Sequence, residues 1–320
     1  MPHCQVTSLS RTIAITMQAF NSHGDFVNSH QDYVGSHQGY VGSHQGYVDS
    51  HCHFDFPVFA ADRAAVWAHC QRLGVNRLII PGVSPEQWQV AVQLCHQYPG
   101  FYYAAGIHPH WIEQQHWCET NNSGLLDETT QQQIKQLLGD EVTRMHRGTG
   151  GPCVAVGECG LDKLIQVPLA LQQQLLGLHI ELANQFQLPL IIHSVKTHNE
   201  MLACFKQQSP RYGGVIHAFS GSLETAQQFI ARGFLLGVGG TITYERAQKT
   251  RATFSKIPLQ YLLLETDAPD MPVCGKQGER NSPEYVPLVA QTLAQLQGVH
   301  VAQVAEITTC NAQRLFGLPR

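Results

Sequence analysis

The sequence is poor in charge. Only 14% of its 320 residues are Asp, Glu, Lys or Arg, and neither sign dominates. Twenty basic residues against 24 acidic ones leave a formal net charge of -4, which excludes the broad basic face of a duplex-DNA-binding module. An enzyme acting on nucleic acid is still admitted, because bound cations can supply positive charge locally. The ten cysteines form no CxxC pair and no framework spacing, so reduced thiols in a cytoplasmic protein are expected. No apolar run approaches the roughly 18 residues that cross a bilayer. The first twenty residues lack the charged, apolar and cleavage-site order of a secretory signal. Neither a membrane nor an obligate protein partner is implied.

What is present divides at about residue 46. Between 22 and 53 a seven-residue unit recurs, reading SHGDFVN, SHQDYVG, SHQGYVG, SHQGYVD and SHCHF, with Ser22, Ser29, Ser36, Ser43 and Ser50 in register. Only one aromatic–Val pair per unit is apolar and glycine recurs, so no a/d seam of a coiled coil exists. Residues 1–46 are therefore expected to be a low-complexity, disordered tail. On that reading His23, His30, His37 and His44 are decoys rather than ligands.

From residue 47 to 320 the pattern changes. Short apolar runs at 47–53, 77–83, 101–107, 153–158, 189–193, 214–219, 234–239 and 261–266 read as strands buried on both faces, as in parallel sheets. Helical patterns lie between or after them, at 61–73, 86–98, 128–146, 169–187, 197–208, 222–232, 245–255 and 283–297. Eight strand–helix units predict an α/β fold, a (β/α)8 TIM barrel. An open doubly wound sheet is the alternative.

Chemistry-bearing residues stand where these runs give way to Gly, Ser or Pro. His51 and His53 are two apart, so on an extended segment they share a face while Cys52 points away. Glu158, His193, His217 and Asp267 end later runs. In a barrel these six residues converge on the mouth where strands end. Four imidazoles and two carboxylates suit two divalent ions bridged by a carboxylate. Asp49 reads equally as a partner of a ligand histidine or as a strand-start turn residue, and Asp162 as a cap of the following helix ahead of the same histidine-partner role. Cys52 and Cys159 read as small core residues. His110, His116, His146 and His198 read as surface or structural.

Six stretches carry a resemblance: DSHCHFD (49–55), GIHP (106–109), VGECGLD (156–162), IIHS (191–194), IHAFSG (216–221) and LLLETDAPDMP (262–272). Residues from about 49 to 317 resemble the TatD family of metal-dependent deoxyribonucleases, a branch of the barrel amidohydrolases. VGGTITYERAQKTR (238–251) is similar to its YjjV-like subgroup. The resemblance implies that His51, His53 and Asp267 hold one metal, His193 and His217 the other, and Glu158 both. It also implies that His108 faces the substrate phosphate. Mg²⁺ is the metal the resemblance favours, Zn²⁺ the one that imidazole ligands favour, and Mn²⁺ a third option.

Departures accompany the match. Val195 and Asn199 stand where the family has Arg and Asp, and Leu171–Gln172 and His179 where it has Arg–Gln and Gln. Lys196 and Arg280 are the cations left to bind phosphate in place of that Arg. The expected activity is metal-dependent cleavage of phosphodiesters in DNA, with RNA second, Asp267 acting as proton acceptor and Glu158 as bridge. Hydrolysis of another ester or amide, or of aminoacyl-tRNA, is the enzymatic alternative. A non-catalytic metal-binding scaffold is the remaining one.

Overall fold

A computed structural model describes residues 46–112, 124–146 and 153–319. The expectation for the repeat falls outside these residues apart from Gly46, as do His116 and the side chain of His146. Among the described residues there are eight strands: β1 Tyr47–Asp49, β2 Val75–Ile80, β3 Phe101–Ala105, β4 Cys153–Asp162, β5 Leu190–Val195, β6 Gly214–Ile216, β7 Phe234–Val238 and β8 Leu262–Leu264. All pair in parallel in sequence order, β1 through β8. The Ser50 N–H donates to Leu264 O and the Asp267 N–H to His51 O, each at 2.9 Å. First and last strand ends therefore meet. The result is a nearly closed (β/α)8 barrel rather than an open sheet.

Helices α1 Arg63–Arg72, α2 Pro85–Gln97, α3 Glu128–His146, α4 Leu169–Phe186, α5 His198–Gln207, α6 Leu223–Ile230, α7 Gln248–Phe254, α8 Val286–Gln297 and α9 Val301–Phe316 complete the order. Local chemistry starts some of them. Ser84 precedes Pro85 and accepts the Gln87 N–H at 3.4 Å, and Ser222 accepts the Thr225 N–H at 3.2 Å, relieving free donors of the first turn.

Helix α9 was not expected from the sequence. Its buried face mixes apolar with polar residues, and polar groups among them serve the barrel floor. Asn311 Nδ2 donates to Leu259 O (2.8 Å) and Leu262 O (2.9 Å), and Thr309 Oγ1 to Gly46 O (2.8 Å). Its last turn closes the barrel interior, where Ala312, Phe316 and Leu318 cluster with Val48, Ile79, Ala104, Ile191, Val215, Leu235 and Leu263.

Most strands end earlier than the sequence suggested, while β4 and β5 run on past the expected ends. β1 stops at Asp49, so His51 and His53 stand just beyond the strand rather than on it. The chain nevertheless keeps bonding alternately to either side, with the Cys52 N–H donating to Ile79 O (3.1 Å) and the His53 N–H to Ala268 O (2.8 Å). That alternation preserves the expected facing: both imidazoles turn inward and Cys52 is fully buried in the core.

Candidate metal centre

Glu158 is placed by a defect in the sheet. Val156 pairs with Leu190 and Cys159 with Ile192, so three steps along β4 answer two along β5. The extra residue makes a bulge, a feature that re-aims a side chain. Gly157 sits at φ 140° there, and a Cβ on it would lie 2.5 Å from Ile191 O. Only glycine fits.

The Glu158 carboxylate is 1% exposed and its two oxygens face different partners. Oε2 lies 3.1 Å from His51 Nε2 and 3.8 Å from His53 Nε2. Oε1 lies 2.9 Å from His193 Nδ1 and 3.4 Å from both His108 Nε2 and His217 Nε2. Asp267 Oδ1 completes the first side, 3.5 Å from His51 Nε2 and 3.7 Å from His53 Nε2. The six residues expected to ligate metal thus meet around one carboxylate, with His108 beside them.

Electrostatics at the centre call for a cation. Burial alone would raise the Glu158 carboxyl, but His51, His108 and His217 outweigh it and hold the group well below the ordinary glutamate value. Burial opposes charge on His217 too, yet Glu158 and Asp267 push its imidazole up to about 10. A proton there does part of what a cation would do. Burial moves Asp267 up to about 6 against the pull of His217 and His51. Burial, reinforced by His51, keeps His53 well below its usual value.

Among the described residues seven buried side-chain atoms lack a hydrogen-bond partner. Six belong to His51, His53, Glu158, His217 and Glu265, and the seventh is Asp55 Oδ1. Buried polar atoms are rarely left unsatisfied. Their concentration here fits N/O donors arranged for a divalent ion.

His108 differs in kind from the others. Its Nδ1 accepts the His110 N–H at 3.1 Å, and burial lowers its pKa to about 4, so the ring is neutral at pH 7 with its hydrogen on Nε2. That nitrogen is a donor, not a ligand. The preceding loop is fixed from behind. The Ile107 N–H donates to His179 Nε2 (3.0 Å), whose Nδ1–H donates to Leu175 O (2.8 Å), and Trp88 Nε1–H donates to Gly106 O (2.9 Å).

Residues 48–317 match the family model described as TatD related DNase. The chain belongs to the TatD family. It is 37% identical over 269 residues to the metal-dependent hydrolase YjjV of Escherichia coli K12, covering 84% of this chain and 96% of that one. The crystal structure of YjjV, described as a TatD homologue, superposes with a TM-score of 0.75 over 85% of this chain and 98% of its own. The 3'-5' ssDNA/RNA exonuclease TatD of Escherichia fergusonii is 29% identical over 268 residues, covering 81% and 95%. This TatD-family chain is a metal-dependent hydrolase.

Several residues take places that decide between the sequence expectations or depart from them. Asp162 does not cap a helix, since α4 starts only at Leu169; it takes the other place weighed for it, beside a histidine, its carboxylate touching His193 and His110, each at 3.1 Å. His110 is thus engaged with that carboxylate, although nothing in its sequence context marks it. Asp49 serves backbone rather than a histidine ring. Its Oδ1 accepts the N–H groups of His51 (3.2 Å) and Thr266 (3.1 Å), and its Oδ2 the Thr266 hydroxyl (2.6 Å). Glu265 was missed altogether. It is fully buried, accepts the Ala218 N–H at 2.5 Å and faces His217 Nδ1 at 3.5 Å. Its carboxylate fills the space of a side chain at Gly237, where a Cβ would lie 2.1 Å from Oε2.

The two cations expected at phosphate differ. Lys196 is exposed just after β5, at φ 54°. Arg280 is engaged elsewhere: its guanidinium holds both Asp62 oxygens (2.9 and 2.6 Å), donates to Val58 O (2.7 Å) and stacks 4.4 Å over Phe59. Among the described residues Cys52, Cys70, Cys95, Cys153, Cys159, Cys204 and Cys274 form no disulfide. No described helix is long and apolar enough to cross a membrane.

Proposed function

We propose that this hydrolase cleaves phosphodiester bonds in nucleic acid, DNA first and RNA second, with two divalent ions held across Glu158. The observation that carries the reading is the split of the Glu158 carboxylate, Oε2 toward His51 and His53 and Oε1 toward His193 and His217. A bridging carboxylate needs that division. His51, His53 and Asp267 would hold one ion and His193 and His217 the other. Such a pair lowers the pKa of a water and stabilises charge on attacking and leaving oxygens of a displacement.

The chain's own groups do the rest. Asp267 points one carboxylate oxygen at the site and takes the proton of the attacking water. His108 offers its Nε2–H to a phosphoryl oxygen, as a neutral donor whose tautomer its own loop determines. Lys196 supplies a mobile positive charge at the rim. The names of the TatD exonucleases support the choice of nucleic acid as substrate class. A second reading, hydrolysis of a carboxylic ester or amide, draws support from Val195 at the end of β5 and from Arg280 being bound to Asp62.

Labelled single-stranded DNA, duplex DNA and RNA, together with ester and amide substrates, distinguish the two. Protein is stripped with chelator and restored with Mg²⁺, Mn²⁺ or Zn²⁺ before each assay. Metal-restored cutting of nucleic acid is expected. Turnover of esters or amides with nucleic acid left intact would replace the first reading by the second.

A further inference from the structure

Asp162 stands apart from the groups that crowd Glu158, yet it contacts one of them directly. Its Oδ2 lies 3.1 Å from His193 Nε2, on the side of that ring opposite Glu158, and 3.1 Å from His110 Nε2. Its Oδ1 accepts the Leu164 N–H at 2.7 Å. The whole residue is clamped from behind by Gln172, which is 1% exposed. Gln172 Oε1 accepts the Asp162 N–H (2.7 Å), while its Nε2 donates to Asp162 O (3.0 Å) and Val167 O (2.8 Å). So much fixing of one carboxylate, outside the ligand set, calls for a reason.

A neutral imidazole carries one hydrogen and one lone pair, and an ionised carboxylate only accepts. Contact with Asp162 therefore demands the hydrogen on His193 Nε2. Once the ring is neutral the lone pair must lie on Nδ1, the atom 2.9 Å from Glu158 Oε1. We propose that Asp162 is a positioning residue that fixes the tautomer of His193, so that Nδ1 ligates the cation shared with Glu158. The proposal rests on the reading of His193 as a metal ligand.

The same atoms offer a rival use. His110, Asp162 and His193 lie close enough to enclose a cation of their own. A cation at His193 Nε2 would put the remaining hydrogen on Nδ1, facing Glu158, and withdraw this histidine from the inner centre. The outer position has less to recommend it. His110 has a side chain 49% exposed, whereas the atoms left without partners cluster at the inner centre. Carboxylates that hold the far nitrogen of a ligand histidine also raise its basicity toward metal.

The test is Zn²⁺ binding, followed by chelator competition, with ¹⁵N NMR of histidine-labelled, Zn²⁺-loaded protein. The parent spectrum should show His193 protonated at Nε2 and metal-shifted at Nδ1. Asp162→Ala should weaken one of two bound Zn²⁺ by roughly 10–100-fold. Asp162→Asn should recover part of that loss, because its carbonyl oxygen can still accept the Nε2–H. His110→Ala should leave both affinities alone. Metal at His193 Nε2, or parent-like binding in Asp162→Ala, would overturn the proposal. His193→Ala separates the levels. If it loses one Zn²⁺ while Asp162→Ala loses none, only the tautomer role falls; if it keeps both ions, the ligand reading falls as well. Should Asp162→Ala fail to fold, the parent spectrum alone still decides.

Discussion

The two ends of the same eight strands obey opposite rules. Where the strands begin, α9 and the turn after it press Ala312, Phe316 and Leu318 against Val48, Ile79, Val215 and Leu235, and its Asn311 and Thr309 satisfy buried carbonyls. Where they end, seven buried polar atoms among the described residues lack partners and buried His217 is held charged by its neighbours. One end has been optimised for packing. The other keeps unmet valences, which would be a net liability in a protein whose only task was to fold. That contrast singles out the candidate site without any family name, because a fold tolerates such atoms chiefly where a ligand will complete them.

The sharpest way to break the contrast is to change the carboxylate at its centre. Glu158→Gln keeps the shape but halves the negative charge of the pair formed with Asp267. Hydrolysis should fall to the level of chelator-treated parent, and the rise in melting temperature on adding Zn²⁺ or Mn²⁺ should vanish. An undiminished metal-induced shift would show that the ions sit elsewhere. Asp267→Asn should be milder on binding and severe on chemistry, lowering kcat by about 10²–10⁴-fold as a lost proton acceptor does. Steady-state kinetics with saturating metal check this.

At the opposite end the expected effect is on stability alone. Phe316 is 4% exposed within the interior cluster, and Phe316→Ala should cost about 3–5 kcal/mol in denaturant unfolding. Turnover per folded molecule should stay at the parental value. A fall in kcat as large as the one from Asp267→Asn would mean that the two ends are not independent.

How much of this was legible beforehand follows the same division. Apolar runs announced all eight strands, and the abrupt arrival of His, Glu or Asp at their ends announced the site. The floor was harder to read. Helix α9 buries Thr308, Thr309, Asn311 and Gln313 among Val304, Ala305, Ala312 and Phe316, so polar residues interrupt the inward face and blur the hydrophobic pattern that signals a helix. Glu265 was hidden for a related reason. A glutamate beside Thr266 and Asp267 reads as part of a polar turn, and only Gly237 on the neighbouring strand makes room to bury it. Asp162 and His110 are near one another only in space; no spacing along the chain links them. Gln172, beside the departure at Leu171, and His179, itself a departure from the family pattern, turn out to be fasteners for the segments bearing Asp162 and His108.

The titrations give a subtler handle. In metal-free protein His217 is raised to about 10 from its usual 6.5 and Asp49, desolvated by burial, to about 8 from 3.8. A group whose folded pKa is raised stabilises fully below its unfolded value and loses that stabilisation as pH climbs through the folded one. Metal-free protein should therefore melt lower at pH 9 than at pH 6.5. Metal binding needs the imidazoles deprotonated, so the metal-induced rise in melting temperature should grow over the same interval. Calorimetry at both pH values with and without Zn²⁺ gives the sign. A metal-free melt that rises with pH would mean that the buried proton on His217 contributes nothing.

The smallest effect separates the two cations at the rim. Arg280 is partly exposed and bound to Asp62, and exposed ion pairs contribute little; Arg280→Ala should cost at most about 1 kcal/mol, much of it from lost stacking on Phe59. Because its guanidinium is already committed to Asp62 and Val58 O, KM for nucleic acid should not move. Lys196 is the converse case, exposed beside the end of β5 with no role in packing. Lys196→Ala should leave the melt unchanged and raise KM several-fold at low salt, with the difference shrinking as salt screens the phosphate. The paired measurement is melting temperature against KM at two ionic strengths. A KM that rises for Arg280→Ala and not for Lys196→Ala would mean that Arg280 leaves Asp62 when substrate binds, and the rim would have to be redrawn around it.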